Sequence, residues 1–280
     1  MEKNVSAYLK QHGFHFSHSL GQNFIMSDQI LDEIVDSAEI GEDDCVVEIG
    51  AGAGTLTRTL CSRASKVLAF EIDSALIPII NQMLLTYDNW RLINEDIMKA
   101  DIAARTADFF GEKHFHVVAN LPYYITTPVL MLLIESDLPI DSITVMVQKE
   151  VARRIVAHEG SKDFGALTIA VQYRMSAEIA MDVRARHFTP PPKVDSAVVV
   201  LRRRSAPPVE LLDEAMFFRV VKCAFAMRRK TMSNNLCASF SMSKEQSTAL
   251  LESLGHSPMI RGEAMSMQSM ANLANALYSQ

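Results

Sequence analysis

Asn120-Leu121-Pro122-Tyr123 carries the residue types that activate an amine attached to a flat ring. Such an amine is a poor nucleophile because its lone pair is delocalised into the ring. Two acceptors, each taking one N–H, favour a pyramidal nitrogen whose lone pair points at an electrophile. The side-chain oxygen of Asn120 can serve as one, and a backbone oxygen of Leu121 or Pro122 as the other. Pro122 stiffens the turn, which sets the geometry before a substrate arrives. Tyr123 offers a ring face, and stacking is worth about 1–3 kcal/mol per base. Taken alone, Asn-x-Pro suits an ordinary strand-to-loop turn equally well.

About seventy positions earlier lies Glu48-Ile49-Gly50-Ala51-Gly52-Ala53-Gly54. Glycine lets the backbone take positive φ and approach a ligand closely. A bare tight turn or a dinucleotide site would give a similar loop. Glu71 closes the next apolar run 21 residues after Gly50, where a carboxylate accepts hydrogen bonds from ribose hydroxyls. Asp96 follows the third run, where it can accept an adenine's exocyclic amine. NAD and S-adenosylmethionine share ribose and adenine. The latter has no pyrophosphate, and its sulfonium cation suits an acidic wall such as Glu48. The ordered series Gly50, Glu71, Asp96, Asn120 favours S-adenosylmethionine and methyl transfer onto an amine. Phe188, held by Pro190-Pro191-Pro192, is the candidate second stacking face, an exposed ring over the pocket. A core phenylalanine is the competing reading. The two rings would clamp a base extruded from RNA, at a cost of a few kcal/mol.

Positioning these residues requires alternating strands and helices. Strands are expected at Cys45–Gly50, Lys66–Glu71, Trp90–Asn94, Phe115–Asn120 and Ile143–Gln148. Helix-period segments fall between them, at Thr55–Ser62, Ala75–Leu85, Asp101–Phe110 and Thr127–Glu135. Apolar strands separated by helices imply an α/β fold whose parallel sheet is covered on both faces. Leu167–Tyr173 and Val194–Leu201 read as two further strands, and Arg202 to Pro208 as a linker. Helices are expected at Glu210–Ala226, Lys230–Phe240 and Lys244–Leu254, the last capped by Ser243 and stopped by Gly255. A boundary near Pro207 follows, with domains at residues 1–206 and 207–280.

The 280-residue chain is 49% hydrophobic and 21% charged, ordinary values for a globular protein with a core. Its net charge of −6 is unevenly spread. Residues 1–183 hold 14 Lys and Arg against 26 Asp and Glu, whereas residues 184–280 hold 13 against 7. A basic tail suits a polyanion, or equally a solvated helical surface. The amino terminus lacks the apolar core of a signal peptide, and no run approaches the roughly 20 residues that span a bilayer. A cytoplasmic protein without membrane attachment is expected. The four cysteines are scattered and are expected to be structural. His12, His15 and His18 have no accompanying acid or cysteine cluster, so no metal site is expected.

These motifs resemble the ribosomal RNA adenine dimethyltransferases, specifically the bacterial small-subunit enzymes. The resemblance runs from Leu20-Gly21-Gln22-Asn23-Phe24 through the glycine loop, Asn120–Tyr123, Val147–Ala152, Lys162–Gly165 and Phe188–Ser196 to Arg228-Arg229-Lys230-Thr231. It implies a Rossmann-like methyltransferase sheet with a small carboxyl-terminal helical domain. It also implies S-adenosylmethionine contacts from Gln22, Asn23, Ile25, Gly50, Glu71, Asp96 and Asn120, with Gly52 in the same loop. Tyr123 and Phe188 would line the target-base site, and Arg228, Arg229 and Lys230 would meet rRNA phosphates, which position without reading sequence. The implied substrate is a pair of adjacent adenosines near the 3′ end of 16S rRNA in an immature 30S subunit, dimethylated by a monomer. Ile25 stands where leucine is usual, and Met232–Asn235 is less basic than the family norm. Three alternatives stay open: a macrolide-resistance relative acting on large-subunit rRNA, an assembly factor whose methylation is secondary, and a dehydrogenase.

Overall fold

The computed structural model describes residues 21–279; the histidines at 12, 15 and 18 lie outside them. The chain divides into two compact units. One reaches to Ala152 and resumes at Ala177–Arg203; the other joins Arg153–Ser176 to the segment from Arg204 onward. The helical unit therefore takes in Arg153–Ser176 as well as the residues beyond the boundary expected near Pro207.

In the first unit, β1 (Phe24–Ile25) and α1 (Asp28–Ser37) precede β2 (Cys45–Ile49), α2 (Thr55–Cys61), β3 (Lys66–Phe70) and α3 (Ile77–Met83). Then come β4 (Trp90–Ile93), α4 (Ile102–Phe110), β5 (Phe115–Asn120), α5 (Thr126–Ile134), β6 (Ile140–Gln148) and the short α6 (Lys149–Ile155). The second unit contributes α7 (Ala166–Arg174). After β7 (Met175–Val183), β8 (Phe188–Thr189) and β9 (Ser196–Arg203) the rest is helical: α8 (Glu214–Ala226), α9 (Met232–Phe240), α10 (Lys244–Ser253) and α11 (Met267–Tyr278).

The seven-stranded sheet runs β4-β3-β2-β5-β6-β9-β7, and β1 pairs with β8 apart from it. Strands β2 to β6 are parallel, in register from Val46 opposite Val67 and His116. β9 is antiparallel to β6, so the sheet is mixed rather than wholly parallel. The chain order reverses between β3 and β5 on either side of β2, which opens a crevice at the carboxyl ends of these strands. Val46, Val47, Val67, Leu68, Val117 and Val118 are fully buried, as a sheet covered on both faces requires.

Two expectations are corrected, and further elements appear. Leu167–Tyr173 is helical, not extended. Its apolar residues alternate, but the helix is buried on nearly all sides, which blurs a 3.6-residue period. Its two polar positions, four apart, meet carbonyls. Thr168 Oγ1 donates to Arg154 O (2.6 Å), and Gln172 Nε2 donates to Ile155 O (2.9 Å) and Ala157 O (3.0 Å). Arg202 and Arg203 are not linker residues but the end of β9. Arg202 pairs with Glu178 and Glu39, and Arg203 Nε donates to Ile140 O. β7 and α11 are additional; β7 is an edge strand, and its apolar residues do alternate from Met175 to Val183, a period of two on which no strand was expected.

Candidate active site

Carboxyl-end loops of β2, β3, β4 and β5 meet in one cavity. Gln22, Asn23, Ile25, Gly50, Gly52, Glu71, Asp96, Asn120, Leu121, Pro122, Tyr123 and Phe188 all line it. The expected cofactor and amine residues are therefore gathered together. Arg228, Arg229 and Lys230 belong to the helical unit and are not among the residues lining the cavity.

Gly52 shows why the loop excludes side chains. Its φ is +57°, and a Cβ there would lie 2.9 Å from Phe24 Cε1. Its N–H donates to Glu71 Oε2 (2.8 Å), while Asp73 N–H donates to Glu71 Oε1 (2.8 Å). Glu71 is buried, and burial, the dominant cause, raises its pKa against those backbone donors. Each oxygen keeps a lone pair for a further donor. Asp96 is more open; its Oδ1 accepts from Met98 N (3.0 Å).

Glu48 is the unusual member. It is fully buried on β2 and borders the cavity, and neither carboxyl oxygen has a hydrogen-bond partner among the described residues. Burial pushes its pKa up to about 8; the Glu71 charge adds to this, and Thr57 opposes it. The neighbouring Cys61 thiol is pushed up to about 12, mainly by burial and secondarily by Glu48. An unfolded glutamate ionises near the ordinary value of 4.5, so folding here favours the proton. Stability is therefore lost as pH rises from about 4.5 towards 8. Glu48→Gln is expected to melt with the wild type at acid pH and several degrees above it at pH 8–9. Ligand-free thermal scans across that range check it, and a pH-independent difference would contradict the assignment.

Asn120 ends β5. Its Nδ2 donates to Asn23 O (3.2 Å), which leaves Oδ1 without a partner among the described residues. Asn23 is itself fixed by its Nδ2 bond to Gly21 O (3.0 Å), and Gln22 by its bond to Asp73 Oδ2 (2.7 Å). The two backbone acceptors differ. Pro122 O already accepts from Ile125 N (3.1 Å) and Thr126 Oγ1 (3.2 Å), so the turn consumes it. No such bond engages Leu121 O among the described residues. The available pair is thus Asn120 Oδ1 and Leu121 O.

Tyr123 is half-buried, and its hydroxyl shares a hydrogen bond with Ser196 Oγ (2.9 Å). Burial raises its pKa. Ser196 is 73 residues away, and no local pattern announces it as the ring's tether. Phe188 is not the exposed ring expected. It is 3% exposed, lies in the core cluster with Phe24 and Ile25, and is paired with Ile25 through β8. It is nevertheless part of the cavity wall. Core and site readings meet in one side chain.

In the helical unit, Arg228 Nη2 donates to Lys162 O (2.8 Å) and Phe164 O (3.3 Å), so this guanidinium ties Arg153–Ser176 to the helices. Arg229 and Lys230 are exposed. Among the described residues no cluster of acids, histidines and cysteines has metal-ligand geometry, and no helix is long and apolar enough to cross a membrane.

A family model described as ribosomal RNA adenine dimethylase matches residues 13–275. The chain is 50% identical over 273 residues to the ribosomal RNA small subunit methyltransferase A of Geobacillus thermodenitrificans, covering 96% of this chain and 93% of that protein. It is also 50% identical over 277 residues to the protein of the same name from Streptococcus thermophilus, covering 98% and 96%. Among solved structures, a dimethyladenosine transferase from Plasmodium falciparum is similar, with a TM-score of 0.75, 26% identity and coverage of 89% and 95%. A 23S rRNA methyltransferase, ErmE, gives 0.70 and 27%, with coverage of 91% and 100%.

Proposed function

The chain belongs to the ribosomal RNA adenine dimethylase family, and from that premise we propose that its cavity binds S-adenosylmethionine and presents adenine N6 to it. The protein is an rRNA adenine dimethyltransferase. Its substrate is a pair of adjacent adenosines near the 3′ end of 16S rRNA, within an immature 30S subunit in the cytoplasm, and it acts as a monomer.

The donor set fits the cofactor. Glu71 has lone pairs for ribose hydroxyls, and Asp96 Oδ2, 3.8 Å from Lys99 Nζ, has room to accept the adenine amine as well. The orphaned Glu48 carboxyl lies where a cation would draw it into the ionised form. When bound, S-adenosylmethionine supplies an electrophilic methyl on a positive sulfur. Asn120 Oδ1 and Leu121 O accept the two N–H bonds of N6 and turn its lone pair outward. Tyr123, tethered by Ser196, and Phe188 confine the ring. Positioning dominates, so no general base of high pKa is needed.

The observation that carries this reading is the division of labour at Asn120: its amide nitrogen is spent on Asn23 O and its oxygen is left over. Mass spectrometry of rRNA from under-methylated 30S subunits, incubated with the protein and isotopically labelled cofactor, tests it. Label on two adjacent adenines of 16S rRNA is expected; label confined to 23S rRNA, or none, overturns it. Phe188→Ala would open a core cavity worth about 3–5 kcal/mol, so Phe188→Leu is the informative variant. It should fold normally yet raise the KM for subunits several-fold. Unchanged steady-state kinetics would leave the ring a purely structural role.

A further inference from the structure

Residues 184–195 leave the sheet, but not its unit, between β7 and β9 as a closed strap. Its ends are fastened together, since Ala185 N–H donates to Asp195 Oδ1 (2.9 Å) and Asp195 O accepts from Lys149 N (3.0 Å). Its middle is β8, antiparallel to β1, which fixes Phe188 opposite Ile25 and in the cavity wall. Directly after it, Ser196 holds the Tyr123 hydroxyl. Both rings assigned to the target base are therefore set by this one strap.

The strap also carries Arg184, Arg186 and Lys193, all exposed and none in an ion pair among the described residues. Between Asp182 and Asp195 there is no acid, and Asp182 is itself neutralised by Lys149 Nζ at 2.6 Å. The charge stands out against its background, because the sheet unit, residues 1–152 and 177–203, holds 15 Lys and Arg against 25 Asp and Glu. A catalytic unit so acidic repels a polyanion over roughly 10 Å at 0.1 M salt. Three cations against the single acid Asp195, on both flanks of Phe188, offset that repulsion where an extruded base must enter.

We propose that Arg184, Arg186 and Lys193 form a phosphate-holding surface on the catalytic unit, gripping the single-stranded RNA backbone on either side of the target adenosine. The proposal rests on the rRNA reading above and is separate from the Arg228–Lys230 cluster of the helical unit. Phosphate contacts fix register without reading sequence. The strap places the backbone while the rings and Asn120 receive the base.

Binding and methylation are measured in parallel on full-length protein with under-methylated 30S subunits. Filter binding across KCl concentrations gives the dependence of log K on log salt, and labelled cofactor gives kcat and KM. The triple variant Arg184→Ala/Arg186→Ala/Lys193→Ala should flatten the salt slope by about 2, near 0.7 for each lost single-strand phosphate contact. Its KM should rise at least tenfold, with kcat at saturation within twofold and cofactor affinity unchanged. Arg184→Lys/Arg186→Lys should keep the wild-type slope, because charge and not packing is what acts. Lys113→Ala, just before β5 at the opposite end of the strands, should change nothing. A wild-type slope and KM in the triple variant overturn the proposal. A flattened slope with no methylation by the wild type upholds the strap and overturns the enzymatic reading instead.

Discussion

Replacing Asn120 with alanine is expected to lower single-turnover methyl transfer by about 10²–10³-fold, the usual cost of deleting one preorganised polar contact to a reacting centre. Cofactor affinity should move only a few-fold. The amide would do two things at once: Nδ2 bonds Asn23 O, and Oδ1 is left over for the proposed amine. Alanine removes both, so the Asn23 segment loosens slightly while the second acceptor at N6 vanishes. Asn120→Asp separates the two. It keeps an oxygen for the amine but cannot donate to Asn23 O, and it should recover part of the rate. Quench-flow with labelled cofactor, beside calorimetric titration, measures the two effects independently. Full activity in the alanine variant would remove Asn120 from the chemistry.

Glu71→Ala is expected to weaken cofactor binding by about a hundredfold or more while subunit binding stays intact. Hydrogen bonds to a charged group contribute about 1.5–3 kcal/mol each, and two ribose hydroxyls are lost. Two backbone donors, Gly52 N–H and Asp73 N–H, lose their acceptor as well. Gly50 N, Ala51 N and Gly54 N keep their own backbone acceptors, so the loop is loosened at Gly52 and not dismantled. Glu71→Gln is a stringent companion, since an amide nitrogen facing either backbone N–H cannot accept. Equilibrium dialysis and filter binding check the two predictions together. Wild-type cofactor affinity in Glu71→Ala would move the nucleoside elsewhere in the cleft.

The parallel part of the sheet was legible because β2, β3 and β5 are apolar runs closed by Gly50, Glu71 and Asn120, and a strand buried on both faces needs no other signal. Where burial was uneven, the pattern misled. α7 is enclosed on several sides and shows a period near two, so it read as a strand. The alternation continues without a break into β7, from Met175 to Val183, so nothing marks where the helix yields to the strand. The site's residues were legible as types at strand ends, but their commitments were not. Nothing in the sequence shows that Pro122 O is consumed by its own turn, or that Arg228 Nη2 bonds the Lys162 and Phe164 carbonyls. The Arg228 bonds span more than sixty residues, beyond any local period, while those of Pro122 O are local but follow from turn geometry and not from residue type. Phe188 was legible as an aromatic of the site but not as one buried to 3%.

Since Arg153–Ser176 departs after β6 and rejoins at β7, the polypeptide passes between its two units three times. Phe164 and Tyr173 find ring partners in Phe225 and Phe217 only once α8 has been made. A protein shortened after residue 206 would thus display bare aromatics rather than a self-sufficient catalytic half. Chimaeras that exchange docking halves between relatives need two grafted stretches with matched seams, not a single splice.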